Sequence, residues 1–138
     1  MPAKPFLDTN IVVYAFGSND PRSEKAEALL ETGGIISVQV LNEFVNVLRR
    51  KQRREWQEIE DALGILKTLL DPPRPLTIEV HETALGIARN YELSIYDSLI
   101  VAAALQAGCS MLYSEGLQHG QTIERLKIHN PFAGLRTI

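Results

Sequence analysis

Short apolar runs alternate with longer amphipathic stretches along the whole chain, the pattern of βα units built around a parallel sheet. The runs Pro5–Leu7, Ile35–Ser37, Leu76–Ile78, Ser110–Tyr113 and Leu126–His129 predict strands. Helical periodicity predicts helices over Ile11–Phe16, Ser23–Glu31, Val38–Lys51, Trp56–Leu70, Val80–Asn90 and Ile95–Ala107. Gly33-Gly34, Asp71-Pro72-Pro73 and Gly108 punctuate the pattern as turns or helix stops, and none of these breaks is long enough for an interdomain linker. There is no repeat and no low-complexity tract.

Three acids interrupt this apolar pattern. Asp8 follows Phe6-Leu7 and precedes Asn10 and Ile11-Val12-Val13, so it falls where the first strand ends and a helix begins. Ligands of open α/β sheets bind at such carboxyl ends, although Asp-Thr-Asn is equally an ordinary helix N-cap. Glu43 lies beside the expected core stripe Leu41, Phe44, Val45 and Leu48, with Val40 and Val47 flanking its direction at about 60° and about 40°. An edge-of-core glutamate and a ligand are both consistent with that position. Asp97 shares its helical direction with Ile100, Val101 and Ala104, while Ser94-Ile95-Tyr96-Asp97 also matches a capping box. Each acid by itself thus has a structural explanation. Together they border one apolar interior, where carboxylates repel one another unless a cation compensates them. Ligation by oxygen alone suits Mg²⁺ or Mn²⁺; zinc favours His or Cys, and His81, His119 and His129 show no ligand spacing.

Composition narrows the partners. The 138 residues are 45% hydrophobic, enough for one sizeable core, and a second domain is not required. A net charge of −3 argues against holding nucleic acid by bulk positive charge. Any phosphate contact is therefore local. The one basic cluster, Arg49, Arg50, Lys51, Arg53 and Arg54, reads as a solvated helix C-terminus or as a nucleic-acid groove, with the former somewhat favoured. Cys109 has no disulfide partner and reads as a small buried hydrophobe. No run approaches a membrane span, and Met1-Pro2-Ala3-Lys4-Pro5 lacks the apolar stretch of a signal peptide, so a cytoplasmic location with no membrane contact is expected.

Four stretches occurring in order resemble the PIN-domain nucleases, and within them the VapC-type toxins of bacterial toxin–antitoxin pairs. They are Phe6-Leu7-Asp8-Thr9-Asn10, Ser37-Val38-Gln39-Val40-Leu41-Asn42-Glu43-Phe44, Tyr96-Asp97-Ser98-Leu99-Ile100-Val101-Ala102-Ala103-Ala104 and Leu112-Tyr113-Ser114-Glu115-Gly116-Leu117-Gln118. Asn130-Pro131-Phe132 is similar to the family's closing segment. The resemblance implies one three-layer α/β/α domain over 1–138 with a short parallel sheet. It implies Asp8, Glu43 and Asp97 as both the catalytic and the metal-binding residues around Mg²⁺ or Mn²⁺, supported by Thr9, Asn10 and Ser114. It further implies an endoribonuclease cutting RNA, a cognate antitoxin partner and a homodimer.

One departure stands out. The family's fourth acid falls at Gly116, and Glu115 leaves the backbone one residue early, so it replaces that acid only if the loop rearranges. The alternative is therefore a catalytically weakened or inactive PIN-like binding module. A haloacid-dehalogenase-type phosphatase wants a second Asp where this chain has Asn10, and a Ser-His-Asp hydrolase wants a Gly-x-Ser-x-Gly elbow that is missing.

Overall fold

The computed structural model describes residues 4–135. Strand β1 (Phe6–Leu7) leads into helix α1 (Thr9–Ala15), followed by α2 (Pro21–Thr32) and α3 (Val38–Asn46). A π-helical turn, Val47–Lys51, continues α3 before α4 (Trp56–Leu69), α5 (Ile78–Tyr91) and α6 (Ile95–Gln106). Strands β2 (Met111–Tyr113), β3 (Thr122–Ile123) and β4 (Leu126–His129) complete the chain.

The sheet order is β1-β2-β4-β3. Pairings β1–β2 and β2–β4 are parallel, and β3 runs antiparallel on the outer edge of β4. The fold is therefore the expected α/β arrangement, a small sheet flanked by helices, with a mixed rather than purely parallel sheet. Phe6, Leu7, Leu112, Leu126 and Ile128 are all buried, and one continuous apolar cluster joins them to α1, α3 and α6. Helix α6 is hydrophobic on nearly every side because Ser98 through Leu105 are all buried. That environment makes a carboxylate in its first turn costly.

Two strand expectations need correction, and one strand has no counterpart among them. Leu76–Ile78 forms no strand: the Thr77 hydroxyl accepts a hydrogen bond from the Val80 amide at 3.1 Å and caps α5, while Leu76 and Ile78 are exposed. Ile35–Ser37 is extended and makes only isolated parallel bridges, Phe6 with Ile35 and Ser37 with Arg74. Strand β3 was not predicted at all. Cys109 is buried as expected. The helix expectations hold to within about two residues, apart from the π turn that ends α3.

Candidate active site

Register alone brings the first two site residues together. Leu7 pairs with Tyr113 in the parallel β1–β2 ladder, and the Asp8 amide donates to the Tyr113 carbonyl at 2.9 Å. Asp8 and Ser114 are therefore neighbours just beyond the carboxyl ends of adjacent strands. The Ser114 hydroxyl donates to Asp8 Oδ2 at 2.6 Å, and the Thr9 amide donates to Oδ1 at 2.7 Å as Asp8 caps α1. Both readings of Asp8, cap and site acid, describe the same side chain.

Glu43 enters from α3. Thr9 Oγ1 donates to its Oε1 at 2.6 Å, and Gln39 Nε2, one turn earlier, donates to Oε2 at 3.0 Å. Asp97 enters from the first turn of α6, where its amide donates to the Ser94 hydroxyl at 3.0 Å. A cleft of about 350 Å³ is lined by Asp8, Thr9, Asn10, Val13, Tyr14, Glu43, Val47, Lys51, Asp97 and Gly116. The three sequence-predicted acids thus share one cavity, although they come from positions separated by most of the chain.

Their charges are not independent. Burial pushes the Asp8 carboxyl up to about 6; the Ser114 and Thr9 hydrogen bonds oppose this, and the nearby charges of Asp97 and Glu43 reinforce it. Asp97 is also raised, first by burial and then by the charge of Glu43. A carboxyl raised by folding stabilises the protein fully below its ordinary value near 4, and this contribution is lost as pH rises through about 6. The loss for Asp8 is about 3 kcal/mol. Without metal, the thermal midpoint should therefore fall as pH rises from about 4 to about 6 and level off above that, and Asp8→Asn should flatten the profile. Thermal unfolding in chelator at stepped pH checks both; a native-minus-variant difference that stays constant with pH contradicts the assignment.

The remaining predicted residues divide. Asn10 lines the cleft and its Oδ1 accepts from the Glu115 amide at 3.3 Å. Glu115 itself does not line it: Tyr14 Oη donates to Glu115 Oε1 at 2.5 Å, and Arg22 Nη1 donates to Oε2 at 3.0 Å. Arg22 also lies over the Tyr14 ring, 4.4 Å from its centroid, and pairs with Asp20. The Tyr14 hydroxyl is pushed up to about 12 by burial and by the Glu115 carboxylate. Glu115 is thus held by a tyrosine and an arginine outside the acid cluster. Gly116 leaves space: a Cβ there would meet only the Asn10 amide nitrogen, at 3.6 Å.

Gln39 and Lys51 escaped the sequence reading. The Gln39–Glu43 spacing of four was a usable signal. Lys51 belongs to a basic cluster that reads mainly as solvated, and two of its members, Arg49 and Arg54, have other partners. Arg49 lies over the Trp56 ring and donates to the Arg54 carbonyl, while Arg54 donates to the Phe16 carbonyl and to Gln52. Only Lys51 lines the acid cleft. The π turn explains its direction. Four-residue steps drift by about 40° along an α-helix, and the wider π turn undoes most of that drift between Val47 and Lys51, so Glu43, Val47 and Lys51 face one cavity.

No three acid, histidine or cysteine side chains among the described residues stand close enough together to hold a metal ion as they are. The donor chemistry nevertheless suits a hard divalent cation: carboxylate oxygens only, two of the carboxyls raised by burial and by neighbouring charge, and an open cavity between them. His119 Nδ1 accepts from the Asn130 amide, and neither His119 nor His129 lines the cleft.

The PIN domain family model matches residues 6–120. The chain belongs to the PIN domain family. A search of curated proteins produced no match. Among solved structures, Mycobacterium tuberculosis VapC20, described as a sarcin–ricin loop cleaving toxin, superposes with a TM-score of 0.65 at 24% identity over 79% of this chain and 87% of that one. VapBC2 from Rickettsia felis, bound to a DNA fragment from its promoter, gives 0.65 at 20% identity over 91% and 96%. A toxin–antitoxin complex from Klebsiella pneumoniae gives 0.69 at 19% identity over 92% and 97%. At these identities the superpositions establish a shared PIN fold. No helix among the described residues is long and apolar enough to cross a membrane.

Proposed function

We propose that this PIN domain is a divalent-metal-dependent endoribonuclease, the toxin half of a type II toxin–antitoxin pair acting in the cytoplasm. The observation that carries this reading is the meeting of Asp8, Glu43 and Asp97 around one cleft, where burial and the neighbouring acid charge raise the carboxyls of Asp8 and Asp97. Asp8, Glu43 and Asp97 would hold Mg²⁺ or Mn²⁺, and the ion would supply Lewis-acid polarisation of a phosphoryl oxygen and a more acidic water. Ser114 and Thr9 fix the Asp8 carboxylate, while Thr9 and Gln39 fix that of Glu43. Capturing an ion requires these side chains to turn toward each other, exchanging some of those hydrogen bonds for ligation. The similarity to VapC proteins supports an antitoxin partner, and a cleft rich in carboxylates suits an inserted arginine from such a partner, by bidentate pairing. A homodimer follows from the same family resemblance.

The test is incubation of the purified chain with a structured RNA at graded Mn²⁺ and Mg²⁺. Internal cleavage that depends on the metal is expected; intact RNA at every metal concentration, with the protein folded, contradicts the reading. Lys51 supplies the one cation of this cleft and fits a phosphate of the bound strand. Lys51→Met should therefore weaken RNA binding uniformly across sequences and lower the salt dependence by about one counterion, while Lys51→Arg retains both. Filter binding at several salt concentrations measures this.

A further inference from the structure

We propose that the face between α3 and α6, beside the acid cleft, is a recognition site for one unstacked RNA base, with Tyr96 as its stacking platform and Asn42 and Asn46 as its edge readers. A second cavity of about 350 Å³ lies there, lined by Gln39, Asn42, Glu43, Asn46 and Tyr96. Glu43 lines both cavities, so a nucleotide seated in the second is directly next to a phosphate in the first. Its volume falls within the range of small-molecule sites.

The chemistry of the two cavities differs in the way that the two halves of a nucleotide differ. The acid cleft carries Lys51 and three carboxylates, groups suited to a phosphate and its metal. The second cavity is lined by no cation at all, which removes the attraction for a phosphate; it offers side-chain amides and an aromatic ring. Amides supply paired donor and acceptor atoms that match base edges, and single-stranded RNA is recognised by stacking bases on aromatic rings while their edges are hydrogen-bonded. Tyr96 is 62% exposed although it adjoins the largely buried α6, so its ring is available to a ligand rather than spent on the core. Asn42 and Asn46 are four residues apart on one face of α3, and among the described residues neither side chain makes a hydrogen bond; Gln39 is occupied by Glu43. A duplex keeps its bases stacked away from such a pocket, so the site selects looped or single-stranded RNA.

This inference rests on the nuclease reading only in placing the substrate strand along the acid cleft, and the experiment separates the two. Binding of a fluorescein-labelled single-stranded RNA is followed by anisotropy with Ca²⁺ replacing Mg²⁺, for the native chain, Tyr96→Ala, Tyr96→Phe and Asn46→Ala; cleavage is measured separately in Mn²⁺. Tyr96→Ala should weaken binding about tenfold, Tyr96→Phe by less than about twofold, and Asn46→Ala should alter the ranking of oligo-A, oligo-C, oligo-G and oligo-U. An abasic analogue with the same phosphates should bind the native chain and Tyr96→Ala alike. Unchanged thermal midpoints exclude misfolding as the cause. Equal binding by the native chain and Tyr96→Ala overturns the proposal, as does an equal loss on the abasic strand. Absence of RNA binding by the native chain also overturns it and leaves this face to a protein partner. Tyr96-dependent binding without cleavage in Mn²⁺ sinks the nuclease reading and keeps the base site; cleavage with a Michaelis constant insensitive to Tyr96→Ala does the reverse.

Discussion

Asp97→Asn should abolish metal-dependent RNA cleavage, by at least about a hundredfold, while leaving the fold as stable as before or slightly more so. Metal-ion catalysis contributes several kcal/mol of transition-state stabilisation, and each 1.4 kcal/mol is about a factor of ten in rate, so impairing the ion's site sets this lower limit. Asparagine keeps the size of the side chain and one oxygen, and loses the charge. That charge is costly in the metal-free protein, because burial and Glu43 both raise the Asp97 carboxyl. The Asp97 amide still donates to Ser94, so the start of α6 is preserved. Activity and stability therefore move in opposite directions, whereas a residue serving only as a helix cap would lower stability and leave chemistry alone. Single-turnover cleavage and thermal unfolding in chelator, carried out on the same preparation, distinguish the two roles. Full cleavage by Asp97→Asn removes it from the site.

Gly116→Asp should strengthen the binding of divalent metal by at least about tenfold and raise cleavage at limiting Mn²⁺. Gly116 lines the acid cleft, and its position faces nothing closer than the Asn10 amide nitrogen, so a side chain enters without moving backbone. A carboxylate about 8 Å from a divalent ion contributes about 2 kcal/mol per unit of ionic charge at an effective dielectric constant of 20. The same carboxylate faces Asp8 and Asp97 when no metal is present, so the chelated variant should unfold at lower temperature than the native chain and recover on adding Mn²⁺. Mn²⁺ titration calorimetry and melting with and without chelator check the two halves. If the native chain is silent and the variant cuts RNA, the natural function lies in binding. If both cut, three acids suffice. Glu115 does not replace the missing acid as it stands, because Tyr14 and Arg22 hold both of its carboxylate oxygens outside the cleft.

Much of this was legible in the sequence, for identifiable reasons. Helices α2, α4 and α5 follow from their amphipathic stretches and caps, and α6 from a long, almost unbroken apolar run behind the Ser94 cap. The junction at Asp8 follows from an apolar strand meeting a polar cap. What periodicity could not supply was the direction of Glu43, since a glutamate at the edge of a helical stripe looks the same whether or not other acids face it. Only its order among family-like stretches singled it out. Strand β3 was invisible because its two-residue connection to β4, Glu124-Arg125, has Glu124 at φ 54° and no glycine or asparagine to announce a hairpin. Thr77 misled in the other direction: flanked by Leu76 and Ile78 it reads as a strand residue, and its hydroxyl instead caps α5. Lys51 depended on the π turn after Asn46, for which the sequence carries no punctuation. Arg22 and Tyr14 meet Glu115 only through tertiary packing, a contact across 93 and 101 positions of chain that no local pattern encodes.

The central claim is that the mutual repulsion of Asp8, Glu43 and Asp97 is resolved by a shared divalent ion. Anomalous diffraction from a crystal soaked in Mn²⁺ tests it most directly. A peak in the cleft at ligating distance from oxygens of all three carboxylates, absent from Asp97→Asn, is the result expected. A cleft without a peak at Mn²⁺ concentrations that support RNA cleavage, or a peak held by other residues, would contradict the account.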